Sequence, residues 1–124
     1  MRAMSRAQTT LQAALNRADE LAGAGRYFDA HEAIEAFWME SSGAEKILLQ
    51  GLIQVAAGLH RLARDPVNTN GSSYLLDRGL AKIETMKLLL VPRTFAAFKR
   101  SLDMIRTSGQ APKSFKFGLK GAAR

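Results

Sequence analysis

The stretch Ala44–Arg64, AEKILLQGLIQVAAGLHRLAR, decides the fold. Between Ile47 and Leu59 only Gln50 and Gln54 are polar. That run is shorter than the about 20 apolar residues a membrane span requires. A helix that is apolar nearly all round belongs in the middle of a protein. At about 100° per residue, Leu48, Leu52, Val55, Leu59 and Leu62 cover one broad side, and Leu49, Ile53 and Ala56 cover another. Gly51 and Gly58 share a side, being seven positions apart. Glycine costs about 1 kcal/mol relative to alanine in a helix interior, so this pair predicts the close approach of a second helix. Gln50 and Gln54 make a polar stripe that continues to Arg61, with Lys46 and Arg64 beside it. It is either a narrow solvated strip or a pair of amides turned toward polar groups on a neighbour, since buried amides need partners.

On the N-terminal side, Arg26 to Glu40 reads as a second amphipathic helix. Tyr27, His31, Ile34 and Trp38 fall together, with Phe28 and Glu35 on one flank. Ser41-Ser42-Gly43 breaks that helix, and Ser42 with Glu45 has the spacing of a capping box for the next. Earlier still, Ser5 to Ala22 carries Leu11, Leu15, Ala18 and Ala22 at helical spacing, with Ser5 as N-cap and Gly23 and Gly25 as the stop.

On the C-terminal side, Asp65-Pro66 ends the central helix, because proline lacks the N–H and disfavours helix before it. Ser72 or Ser73 caps a fourth helix reaching about Leu90, striped by Leu76, Leu80, Ile83 and Leu90. Pro92 ends it. A fifth helix runs from Thr94 to about Thr107, with Phe95, Phe98, Leu102 and Ile105 on one face. From Ser108 the helical pattern fails. The remaining GQAPKSFKFGLKGAAR has four basic residues, no acidic ones, and four Gly or Pro. The expected class is therefore all-α: an up-and-down bundle of about five helices around a buried central one. Residues 1–108 form one domain, and 109–124 a basic tail, flexible or docked as a short extended piece through Phe115, Phe117 and Leu119.

A chain of 124 residues with 47% hydrophobic content has the size and composition of one globular domain. It contains no cysteine, which excludes disulfides and Cys-based metal sites and fits a reducing cytoplasm. The opening MRAMSRAQTTLQAAL lacks the apolar core of a secretion signal. We therefore expect a cytoplasmic protein without membrane association. The net charge of +7 is uneven: residues 1–60 hold five Lys/Arg against seven Asp/Glu, and residues 61–124 hold thirteen against four. Lys82, Lys87, Arg93, Lys99, Arg100 and Arg106 fall on two successive helices, and Lys113, Lys116 and Lys120 follow in the tail. Gathered on one face, they would give weak polyanion binding that fades with salt. No motif for specific nucleic-acid recognition is present. Homo-oligomerisation is compatible with the sequence.

The densest chemistry lies in FDAHEAIEAFW, Phe28–Trp38. His31 and Glu35 are four apart and meet on one turn, with Glu32 about 100° away. Three arrangements are open. One is a structural His–Glu pair satisfied by Gln50 or Gln54. Another is a metal site of His31, Glu35 and His60, a donor set suited to a divalent zinc, iron or manganese ion, with Glu32 as general base of a metal-dependent enzyme. The third is a small-ligand pocket with the same polar groups and Trp38 as its apolar wall. The H-E-x-x-H zinc pattern is not met, because position 35 is Glu. No complete catalytic signature occurs. The reading that best fits the residues is a small-ligand-binding or scaffold protein with a His31/Glu32/Glu35/Gln50/Gln54 cluster between helices two and three.

FDAHEAIEAFW followed by LQGLIQVAAGLH resembles the helix pair that marks domain-of-unknown-function family 309, short helical proteins of bacteria and archaea. The resembling residues are Phe28, Ala30, His31, Glu32, Glu35 and Trp38, then Gln50, Gly51, Leu52, Ile53, Gln54, Ala56, Ala57 and His60. The similarity runs over about residues 24–90. It implies an all-helical bundle with the two motif helices packed together, and no particular activity. The segment Asp65–Gly71, longer than the family's Gly-Asn turn and containing Pro66, departs from that pattern.

Overall fold

In a computed structural model the described residues are 6–122, with side chains from residue 10 onward. Five helices follow in order: α1 Arg6–Gly23, α2 Tyr27–Met39, α3 Gly43–Arg64, α4 Asn70–Thr85 and α5 Pro92–Ser108, with a 3-10 turn Lys87–Leu89 before α5. Among the described residues no strand forms; the one extended pairing is an isolated bridge, Leu90 to Gly121. No described helix is long and apolar enough to cross a membrane. Ser5, the expected cap of α1, lies outside the described residues.

The apolar phase of α3 sets the packing. Leu48, Leu49, Leu52, Val55, Ala56 and Leu59 are all fully buried. α1 packs on α2, α2 on α3 and α3 on α4, the succession that short connections impose on an up-and-down bundle. The close helix approach expected at Gly51 and Gly58 is present. A Cβ on Gly51 would sit 2.8 Å from the Gly79 carbonyl oxygen, and one on Gly79 would sit 2.6 Å from the Gly51 carbonyl oxygen. A Cβ on Gly58 would meet the Leu76 side chain at 2.9 Å. The α3 and α4 backbones therefore touch where neither helix has a side chain. Gly79→Ala is expected to destabilise the protein by about 1–3 kcal/mol, the ordinary cost of overpacking, although alanine is favoured over glycine in an unconstrained helix by about 1 kcal/mol. Urea unfolding measures it, and a variant more stable than the parent would mean that the two backbones do not meet at Gly79.

Several expected helix ends differ from those observed. Ser42 is the N-cap of α3, but its hydroxyl makes no capping hydrogen bond, so the capping box with Glu45 does not form. α4 starts at Asn70 with Thr69 as N-cap; Ser72 is inside the helix and donates its hydroxyl to the Thr69 carbonyl at 3.0 Å. α4 also stops at Thr85 rather than near Leu90, because Leu90 leaves the helix to bridge Gly121. α5 begins at Pro92, where the missing N–H costs nothing. Thr94, two residues in, accepts the Lys120 N–H at 3.2 Å. Gly109 ends α5 in the left-handed conformation, φ +68°, the usual residue for that position.

The segment after Ser108 is extended and packed. It runs back along α1 from its C-terminal end. The Phe115 N–H donates to the Ala22 carbonyl at 3.0 Å, the Phe117 N–H to Asp19 Oδ1 at 2.7 Å, and the Gly121 N–H to Gln12 Oε1 at 3.1 Å. Phe115, Phe117 and Leu119 alternate inward and are buried, while Lys113, Lys116 and Lys120 point to solvent. The Phe117 ring stacks on Phe98 of α5 with centroids 5.8 Å apart. The core thus continues past residue 108. Burial raises the Asp19 carboxyl above its usual 3.8, opposed by the Phe117 and Gly118 N–H groups and by Lys116.

Candidate functional site

α2 turns Tyr27, Ala30 and Ile34 into the core. Phe28, His31, Glu35 and Trp38 follow at three- and four-residue spacing, so they form the stripe beside that buried face. From α3, His60 comes to the same place near the helix end. The Phe28 ring contacts both imidazoles, stacked with His31 at 5.8 Å and 27° and tilted against His60 at 5.3 Å and 52°. Phe28 is nonetheless 48% exposed. A large aromatic ring in contact with two histidines and still facing water is a ledge on which another flat or apolar group can lie.

His31 Nε2 is 3.8 Å from Glu35 Oε2, beyond hydrogen-bond length. The Glu35 side chain is 46% exposed, so the pair adds little to stability. His31 Nδ1 and Trp38 Nε1 are buried and meet no hydrogen-bond partner among the described residues. Lys46 of α3 stands 4.3 Å over the Trp38 ring, a cation–π contact joining α2 to α3. Glu32 is exposed.

The glutamines are placed differently from the expected cluster. Gln54 Oε1 accepts from Lys82 Nζ of α4 at 3.1 Å, and Gln50 is exposed. The reason is helical phase. Gln54 lies three residues after Gly51 and four before Gly58, on the side that those glycines give to α4. The two amides therefore do not satisfy His31, and His60 with Phe28 takes the place expected for them. Likewise, no group of three His, Cys, Asp or Glu among the described residues is gathered so as to hold a metal ion, His31, Glu35 and His60 included.

Beside His60 opens a pocket of about 580 Å³ at the junction of α3 and α4, lined by Ala57, His60, Arg61, Arg64, Asp65 and Leu75. A Cβ on Gly71, in the first turn of α4, would overlap the Arg61 guanidinium, so that side chain is laid across the start of α4. The pocket was not foreseen from the sequence. Its signal was there in the HRLARD run, in which His60, Arg61 and Arg64 fall on neighbouring positions of one turn. The His60 imidazole is held below its usual 6.5 by burial first, then by the charges of Arg64 and His31.

Residues 15–71 match the family model described as Domain of unknown function (DUF309). The chain resembles the DUF309 family over that span. The match runs from the middle of α1 to the start of α4 and takes in all of α2 and α3. Every candidate site residue, from His31 to His60, lies inside it, as do Arg61, Arg64 and Asp65, whereas α5 and the extended segment lie beyond the DUF309 match. No curated protein and no solved structure matched the chain.

The depressed His60 value has a consequence for stability. The folded protein favours the neutral imidazole more than the unfolded chain does. The contribution is present in full above about pH 6.5 and is lost as pH falls through the lower folded value. His60→Gln is expected to flatten the loss of stability on acidification below that pH. Thermal melts of both proteins across the range decide it; parallel curves would mean that His60 titrates alike in the folded and unfolded states.

Of the basic residues, Lys82 is engaged by Gln54, Lys99 pairs with Glu84 at 3.6 Å, and Arg106 pairs with Asp77 at 2.6 Å and Asp103 at 3.2 Å. These three cations are already used within the fold.

Proposed function

We propose that the protein binds a small molecule in the pocket at the α3–α4 junction, with the Phe28 ring as the entrance ledge. One observation carries this reading: His60 lines the pocket and also contacts the Phe28 ring, which stacks on His31. The half-exposed Phe28 ring thus adjoins a residue of the pocket lining. The volume falls within the about 300–1,000 Å³ usual for small-ligand sites. The test is a fragment library followed by amide and imidazole NMR shifts. Ligands are expected to perturb His60, Leu75 and Phe28 together, and His60→Gln is expected to weaken them. A library that leaves all three unmoved would end this reading in favour of a scaffold held together by the same residues.

A further inference from the structure

We propose that this pocket takes a phosphate group, gripped by the guanidinium groups of Arg61 and Arg64 with the His60 imidazole beside them. The inference rests on the binding reading above and adds the chemical class of the ligand. Two arginines one turn apart line one cavity, and neither makes an ion pair among the described residues. Elsewhere in the chain arginines do find carboxylates: Arg26 reaches Asp29 at 2.8 Å and Arg106 reaches Asp77 at 2.6 Å. Arg61 and Arg64 do stand in the last turn of α3, where any cation gains about 0.3–1 kcal/mol from the helix dipole. That gain explains a positive charge at these positions. It does not require both side chains to line the same cavity, nor Arg61 to be drawn over Gly71 at the start of the next helix.

The planar, forked guanidinium suits the oxygens of a phosphate. Asp65 is the one acidic group in the lining, and its Oδ1 lies 3.3 Å from the Asn68 N–H, which donates to it. With His60 neutral, two guanidinium charges face that single carboxylate, and the local balance remains positive. Ala57 and Leu75 supply apolar wall for the rest of a phosphorylated small molecule.

The experiment is an NMR titration of the whole protein with inorganic phosphate, and separately with acetate, at constant ionic strength. Phosphate is expected to shift the amides of Arg61, Arg64 and Leu75 with saturation. Arg64→Gln is expected to weaken it by about tenfold, the loss of one charge-assisted contact. Arg64 is exposed, so this variant should keep the fold. Arg100→Gln, an exposed change on α5, should leave the affinity unchanged. Saturation that Arg64→Gln does not weaken, equal loss in Arg100→Gln, or acetate binding as tightly as phosphate would each overturn the assignment. If phosphate fails while neutral fragments still bind at His60, the phosphate assignment alone falls and the small-ligand reading stands. If neither binds, both fall.

Discussion

A chain ending at Ser108 is expected to lose its cooperative unfolding transition. The helical pattern stops there, and by pattern alone the remaining sixteen residues are either a flexible tail or a short docked piece. In the structure the segment is packed. Phe115, Phe117 and Leu119 are 5%, 1% and 3% exposed. Fully burying such side chains stabilises by about 1.5–3 kcal/mol each, about 5–9 kcal/mol for the three. The whole net stability of a typical domain is about 5–15 kcal/mol. Removing the segment also strips Phe98 of two ring neighbours, with centroids at 6.3 and 5.8 Å, and uncovers one side of α1. Asp19 loses the N–H groups of Phe117 and Gly118, and Tyr27 loses the Pro112 carbonyl that accepts its hydroxyl. Circular dichroism during urea unfolding is the measurement. A sharp transition near that of the full chain would show that residues 6–108 hold the core by themselves.

That segment also marks how far the sequence could be read. The alternation of Phe115, Phe117 and Leu119 was visible, since a period of two is local. Its docking place was not: the partners Asp19, Ala22 and Gln12 are about a hundred positions away along the chain. The same remoteness explains the early end of α4. Its apolar stripe continues in phase to Leu90, but Leu90 is claimed by Gly121. Within α3 the reading was nearly complete, because one helix contains its own phase: the buried leucines and the two close-approach glycines follow from spacing. What spacing leaves open is which neighbour takes which face. Gln50 and Gln54 were legible as a stripe, yet only the α4 crossing at Gly79 decides that Gln54 meets Lys82 and not His31. In the site, the approach of His31 to Glu35 on one turn was local and legible, although at 3.8 Å it stops short of a hydrogen bond. The meeting of Phe28 with His60 joins two helices and was not.

Leu52→Ala is expected to destabilise the protein by about 2–5 kcal/mol, and Ile47→Ala by less than about 1 kcal/mol. The two residues are five apart on the same helix and nearly equal in size, so propensity and loss of side-chain carbon are similar. Their surroundings differ. Leu52 is 0% exposed, whereas Ile47 is 40% exposed. Leu52 follows Gly51, whose backbone meets that of Gly79. With two backbones in contact beside it, the chain has little room to collapse into the space that a truncated Leu52 leaves. A cavity that persists adds to the transfer loss, which places Leu52 toward the upper end of the range. At Ile47 water fills the space, and no cavity term arises. Urea midpoints at unchanged slope give both values from one experiment. Equal losses would mean that α3 is rotated from the phase described here, and with it the face that carries His60 to Phe28.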